Sequence, residues 1–245
     1  MKKIVLILLA CVSFVFGESL VVFAASSTKL AMQEIVKDFE KEQPDTKIDI
    51  YFSATGKAFA QFSHGFKYDI FLAADTQYPQ SIVKNGDALG DITVYAYGSV
   101  ALYSKNKELI KEGVEVLKTD KVKKISIANP RLAPYGVAAV EIMQNYGLNE
   151  SVSKKIVQGD NISQSVQFVD SGAADVGFVA FSLIKQSAQE GEYMLIDQVK
   201  YKPLQQAFVL TKHAKDKPAA QMFAKFLTSK KAQDAFEKYG FSTPK

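Results

Sequence analysis

Four short stretches of the chain combine hydroxyl, amide and small side chains where an apolar run gives way to helical periodicity. They are Ala24-Ala25-Ser26-Ser27-Thr28, Ser53-Ala54-Thr55-Gly56-Lys57, Ala128-Asn129-Pro130 continuing through Ala133-Pro134-Tyr135-Gly136, and Asn161-Ile162-Ser163-Gln164. A helix start carries up to four backbone N–H groups without internal partners and the positive end of the helix dipole, so it attracts anions. Ser, Thr and Asn are also the preferred caps of any helix, and any one of these stretches alone reads as ordinary capping. Four of them facing one cleft would surround a small tetrahedral anion with N–H and O–H donors. Such a site suits a fully ionised oxyanion, which only accepts hydrogen bonds, and offers no acceptor to a protonated phosphate. Lys29 and Lys57 stand beside two of the stretches, either steering an anion over distance or simply solvated.

Other chemistries find less support. The chain has two histidines, His64 and His213, one cysteine, Cys11, and no nucleophile elbow, Walker loop or zinc motif. A hydrolytic enzyme would have to use Asp69 and Asp75 as paired carboxylates, yet these flank one apolar strand and more simply cap its ends. A cation site would need clustered tyrosines with a histidine or carboxylates. Tyr95 and Tyr97 are expected on one side of a strand, as β alternation requires. Basic residues are scattered without aromatic interleaving, which argues against nucleic acid. With 47% hydrophobic and 23% charged residues, the chain is expected to fold.

The elements that would position the four stretches alternate in type. Ser19 to Ala24, Lys47 to Phe52 and Tyr68 to Ala73 read as strands. Between and after them, Met32, Ile35, Val36 and Phe39, then Ala58, Phe59 and Phe62, then Gln77 to Asn85 ahead of Gly86, read as helices. A longer β-rich run covers Tyr95 to Ser104. The pattern then restarts with Ile125 to Ala128, a helix from about Val137 to Asn145, a helical face at Val166 and Val169, and Asp175 to Val179. Gln206 to Leu210 makes a late strand, and Lys217 to Tyr239 closes the chain as a helix or helix pair with Met222, Phe223, Phe226 and Leu227 on one side. This predicts an α/β protein of two lobes, each a mostly parallel sheet flanked by helices, with a ligand cleft between them. Residues 18–96 and 208–245 are assigned to lobe one and 97–207 to lobe two. No flexible linker separates them, so two strands, near Tyr97 and near Ala207, are expected to cross as a hinge.

Residues 1–17 read as a signal peptide: Lys2 and Lys3, an apolar run from Ile4 to Phe16, and a cut expected before Glu18. Its removal leaves 28 basic against 26 acidic residues and no cysteine. A competing reading takes Leu8-Leu9-Ala10-Cys11 as a lipoprotein site with Cys11 lipidated. No later segment is apolar for long enough to span a bilayer.

At the same junctions the sequence resembles the periplasmic molybdate-binding proteins of ABC uptake systems, a family of type II periplasmic binding proteins. The resemblance covers nearly all of the chain after residue 17. It rests on Val22-Phe23-Ala24-Ala25-Ser26-Ser27 with Ala31-Met32, on Phe52 to Lys57, on Tyr68 to Asp75, on Ala128-Asn129-Pro130 with Ala133 to Gly136, and on Gly177-Phe178-Val179-Ala180. It implies a monomeric periplasmic receptor, without catalytic activity or cofactor, that carries molybdate or tungstate to a membrane ABC permease. It implies hydroxyl and amide donors from Ser27 and Thr55, backbone donors from Tyr135 and Ile162, and Ser26 as the second candidate of the serine pair. Two departures stand out: Thr55 replaces the usual serine, and Ala180 stands where some members carry a tyrosine hydroxyl. A sulfate or phosphate receptor of the same fold is the alternative.

Overall fold

The first apolar run forms β1 (Glu18–Ala25). Leu20, Val22 and Ala24 face one way, Phe23 and Ala25 the other, and all five are buried, which is why the run is continuously apolar instead of alternating. The computed structural model describes residues 18–244; the expected signal segment and Cys11 lie outside the described residues. α1 (Lys29–Glu42) lays Met32, Ile35, Val36 and Phe39 against the first face of β1, the stripe its spacing predicts. It stops at Gln43, whose backbone (φ −128°, ψ 71°) has left the helical region that the following Pro44 disfavours.

β2 (Thr46–Ser53) runs parallel to β1 from Glu18 opposite Thr46 to Ala25 opposite Ser53. This register matters for the site, since α2 (Thr55–Ser63) then starts level with the end of β1. β3 (Ile70–Leu72) pairs with the other edge of β1, Ala24 opposite Leu72, and leads into α3 (Gln77–Lys84). β4 (Thr93–Gly98) leaves this sheet and continues as β5 (Val100–Tyr103) in a second one. The second lobe adds α4 (Lys107–Lys111), β6 (Ile125–Ala128), α5 (Pro134–Asn145), α6 (Asn149–Val152), β7 (Ile156–Gly159), α7 (Ile162–Asp170), β8 (Val176–Ala180), α8 (Phe181–Ile184) and β9 (Tyr193–Leu195). The chain returns through β10 (Leu204–Leu210) and ends with α9 (Pro218–Leu227) and α10 (Lys230–Lys238) on the first lobe.

The sheet orders are β2-β1-β3-β10-β4 and β7-β6-β8-β5-β9. In each, four strands point one way and the fourth in order, β10 or β5, is reversed. Ala128 lies opposite Gly159, so the third and fourth junctions also emerge level. Strand membership passes between sheets at Ser99 and returns between Leu195 and Leu204. Leu204 to Ala207 therefore pairs within the first sheet, and the return crossing lies upstream of Ala207.

Phe23 packs its ring against Phe71 and Tyr68, with centroids 4.5 and 5.7 Å away. Phe23→Ala is expected to cost about 3–5 kcal/mol through lost burial and the cavity left behind. Urea unfolding of the ligand-free protein, with an unchanged denaturant slope, checks this.

Candidate functional site

The two level pairs of junctions meet across the gap between the lobes. Ala25, Ser26, Ser27, Ser53, Ala54, Thr55 and Ala74 from the first lobe, with Ala133, Pro134, Tyr135 and Ile162 from the second, line one small cavity. Its volume is about 10 Å³, the space for roughly one water-sized sphere, so it is scaled to a compact ion and not to an amino acid or sugar. A groove bounded by Leu89, Thr93, Phe208 and Thr228 is larger, at about 280 Å³, but none of the four helix starts borders it.

Capping does not account for the hydroxyls. The first three junctions show no side-chain cap hydrogen bond. Only the fourth does: Asn161 Oδ1 accepts from the Ser163 and Gln164 amides at 3.0 and 3.2 Å, leaving the Ile162 N–H at the first helical position. The amides of Ser27, Thr55, Tyr135 and Ile162 find no acceptor among the described residues, although all four residues are at most 3% exposed; the Ser26 amide instead continues the β1–β2 ladder toward Ser53. Buried backbone donors are otherwise nearly always paired. Four unpaired ones around one cavity make a site for a guest that accepts hydrogen bonds.

The hydroxyls are held in place to serve it. Thr55 Oγ1 accepts from the Ala74 amide at 3.1 Å, which leaves its proton free to point inward and fixes the rotamer of a side chain already stiff from β-branching. Ser27 Oγ reaches Gln206 Oε1 at a long 3.4 Å. Across the gap, the Gly56 amide donates to Leu132 O (2.8 Å), Ser163 Oγ to Ser26 O (3.1 Å), and Ser182 Oγ to Ser27 O (2.8 Å). Lys57 reaches Asp160 at 3.9 Å, both exposed, a pair that contributes little on its own.

Of the groups weighed from sequence, all five predicted donor residues line the cavity. Ser53 and Ala133, from the second and third stretches, line it too, as does Ala74, which lay outside all four; the run Ala73-Ala74-Asp75 after an apolar strand was the available signal. Neither histidine reaches it: His64 Nδ1 sits 2.7 Å from Ala60 O, and His213 packs edge-on against Phe62. Asp69 and Asp75 do not form a pair. Asp69 accepts from the Val21 amide and from Lys217, while Asp75 accepts from the Tyr78 amide at the start of α3. Ala180 is fully buried at the end of β8 and is not part of the lining.

Burial raises the Asp75 carboxyl to about 6 from an ordinary 3.8, against the opposing amides of Tyr78 and Gln77. Between about pH 4 and 6 the folded chain therefore keeps a proton that the unfolded chain has released. This contribution to stability is present below pH 4 and is lost as pH rises through 6. Asp75→Asn is expected to gain about 2–3 kcal/mol over the parent at pH 7.5 and almost nothing at pH 4. Melting temperatures of both proteins across that range supply the difference.

Comparison with known proteins agrees with this geometry. A family model described as bacterial extracellular solute-binding protein matches residues 20–242. The molybdate-binding protein ModA of Azotobacter vinelandii is 35% identical over 237 residues, covering 96% of this chain and 93% of that protein. ModA of Rhodobacter capsulatus is 35% identical over 228 residues, covering 93% and 89%. The solved structure of the Azotobacter vinelandii periplasmic molybdate-binding protein aligns with a TM-score of 0.87 at 28% identity, covering 92% of this chain and 100% of that one. With a family match across nearly its whole described length and the same two-lobed fold, the chain belongs to the bacterial extracellular solute-binding proteins.

Proposed function

We propose that the chain is the exported receptor of an ABC importer and that it binds molybdate, and tungstate by the same chemistry, in the cavity between its lobes. The observation that carries this reading is the set of four buried, unpaired amides of Ser27, Thr55, Tyr135 and Ile162 around that cavity. Hydrogen bonds to a charged acceptor contribute about 1.5–3 kcal/mol each. Several of them, with the Ser27 and Thr55 hydroxyls, offset desolvation of the anion without any arginine or lysine in the lining. Similarity to two ModA proteins supports the choice of anion, and a lining without carboxylates among the described residues, rich in N–H donors, supports a fully ionised guest over a protonated phosphate. Selection against sulfate rests on cavity size.

Donors from both lobes are satisfied together only when the lobes are shut, so binding favours closure, and a membrane permease reads closure as occupancy. The protein acts in this role as a monomer, released by cleavage of residues 1–17. Calorimetric titration of the ligand-free protein with molybdate, tungstate, sulfate and phosphate tests the reading. Heat is expected with the first two; silence with both would end it.

A further inference from the structure

We propose that Gln206 is a positioning residue for the anion site, whose side-chain amide decides whether the single proton of the Ser27 hydroxyl points at the guest. The proposal rests on the function proposed above. Gln206 lies on β10 and is fully buried. Its Oε1 is 3.0 Å from the Tyr95 hydroxyl and 3.4 Å from Ser27 Oγ, and its Nε2 is 3.2 Å from the Tyr135 hydroxyl. One side chain thus touches a cavity-lining residue from each lobe.

Both crossing strands are shaped around this contact. β4 bulges at Tyr95, because Gln206 faces Ala96 while the next residue, Ala207, faces Val94; the bulge re-aims the phenol inward. Gly98 ends β4 without a Cβ, which would otherwise overlap the Tyr135 hydroxyl and the Gln206 amide.

Counting protons gives the cluster a direction. Burial holds the Tyr135 phenol above its usual range, despite the opposing effect of the neighbouring Gln206, Ser27 and Ser182 side chains, so it stays protonated. With Oε1 facing Ser27, the Ser27 proton is engaged by Gln206, and Gln206 offers the Tyr135 hydroxyl a donor instead of an acceptor. The two ends of a glutamine amide have nearly the same shape. Turned by half a rotation, the amide donates through Nε2 to Ser27 and Tyr95, Tyr95 donates to Ala73 O at 3.1 Å, and Tyr135 donates to Oε1. Gln206 then no longer takes the Ser27 proton, which is left for the cavity. A bound dianion selects this orientation. Ser27 then presents its proton to the guest, which is what a fully ionised oxyanion accepts.

A double-mutant cycle tests the idea, with molybdate affinity and ligand-free melting temperature measured for the parent, Gln206→Met, Ser27→Ala and the double variant. If Gln206 acts through Ser27, Gln206→Met weakens binding about tenfold in the parent but less than threefold in the Ser27→Ala background. Equal losses in both backgrounds, with the parent binding normally, overturn the proposal and leave the function standing; no binding by the parent overturns both. Should Gln206→Met fail to fold, the side-chain NH₂ resonances of Gln206 in the ¹⁵N-labelled parent decide. They shift on saturation with molybdate if the amide turns, and unmoved resonances sink the proposal.

Discussion

Replacing Gly56 by alanine is expected to weaken molybdate binding about a hundredfold or more while leaving the ligand-free protein folded. A Cβ at this position would stand 2.6 Å from the Tyr78 hydroxyl, 3.0 Å from Leu132 O and 3.2 Å from Leu132 Cα. The tyrosine is the far end of a flexible side chain on the same lobe and can swing aside. Leu132 cannot: the contacts are to backbone, and that backbone belongs to the opposite lobe, where its carbonyl also accepts the Gly56 N–H. The strain is relieved by parting the lobes, which in the proposed site withdraws the Tyr135 and Ile162 amides from the anion that Ser27 and Thr55 would hold. Two charge-assisted bonds are lost together, and water re-enters the gap. Calorimetry reads the affinity, and small-angle scattering with saturating molybdate reads the failure to compact. An affinity within threefold of the parent would show that the approach of Gly56 to Leu132 does not limit closure.

What could be foreseen from sequence divides along physical lines. β1 and α1 were legible because burial on both strand faces leaves an unbroken apolar run, and Met32, Ile35, Val36 and Phe39 repeat at helical spacing. The four junctions were legible because backbone close to a guest needs small residues and hydroxyls, and these stand out beside apolar strands. The same chemistry looks like helix capping, and only coordinates separate the two: Asn161 caps, while Ser26, Ser27 and Thr55 do not.

Long-range and irregular features left weaker traces. Tyr95 and Tyr97 were expected on one strand face, but the bulge at Tyr95 breaks the alternation, burying Tyr95 against Gln206 and Ala73 while Tyr97 pairs through its backbone with Ser242. The run from Tyr95 to Ser104 looks continuous, yet it is two strands in two sheets, because a hinge can pass through Gly98-Ser99 without any change of composition. Met222 was grouped with Phe223 and Leu227 but is 41% exposed, since one residue is a rotation of about 100° off the buried stripe of a helix. Gln206 gave no functional signal, because in the adjacent pair Gln205 and Gln206 at the start of an apolar strand either could be the solvent-facing one, and only the structure shows that it is Gln205.

Ile162→Pro isolates a single backbone donor, which side-chain truncation cannot do. Ile162 is the first residue of α7, where proline is tolerated because its missing N–H has no partner within the helix. The preceding residue, Asn161, is already extended at φ −150° and ψ 173°, the conformation a following proline requires. The cap from Asn161 to the Ser163 and Gln164 amides involves neither the Ile162 N–H nor its side chain, so the helix start survives. The lost isoleucine packing is controlled by Ile162→Ala, which keeps the N–H. Relative to that control, proline is expected to weaken molybdate binding about ten- to a hundredfold, the contribution of one hydrogen bond to a charged acceptor. The ring adds to the loss by placing a methylene where the proton pointed. Melting temperatures without ligand should differ far less between the two variants than those with saturating molybdate, since the donor acts only when something accepts from it. Equal affinity of the proline and alanine variants would mean that the fourth helix start serves the fold and not the anion, and the guest would then have to be held from one lobe with Tyr135 alone opposing it.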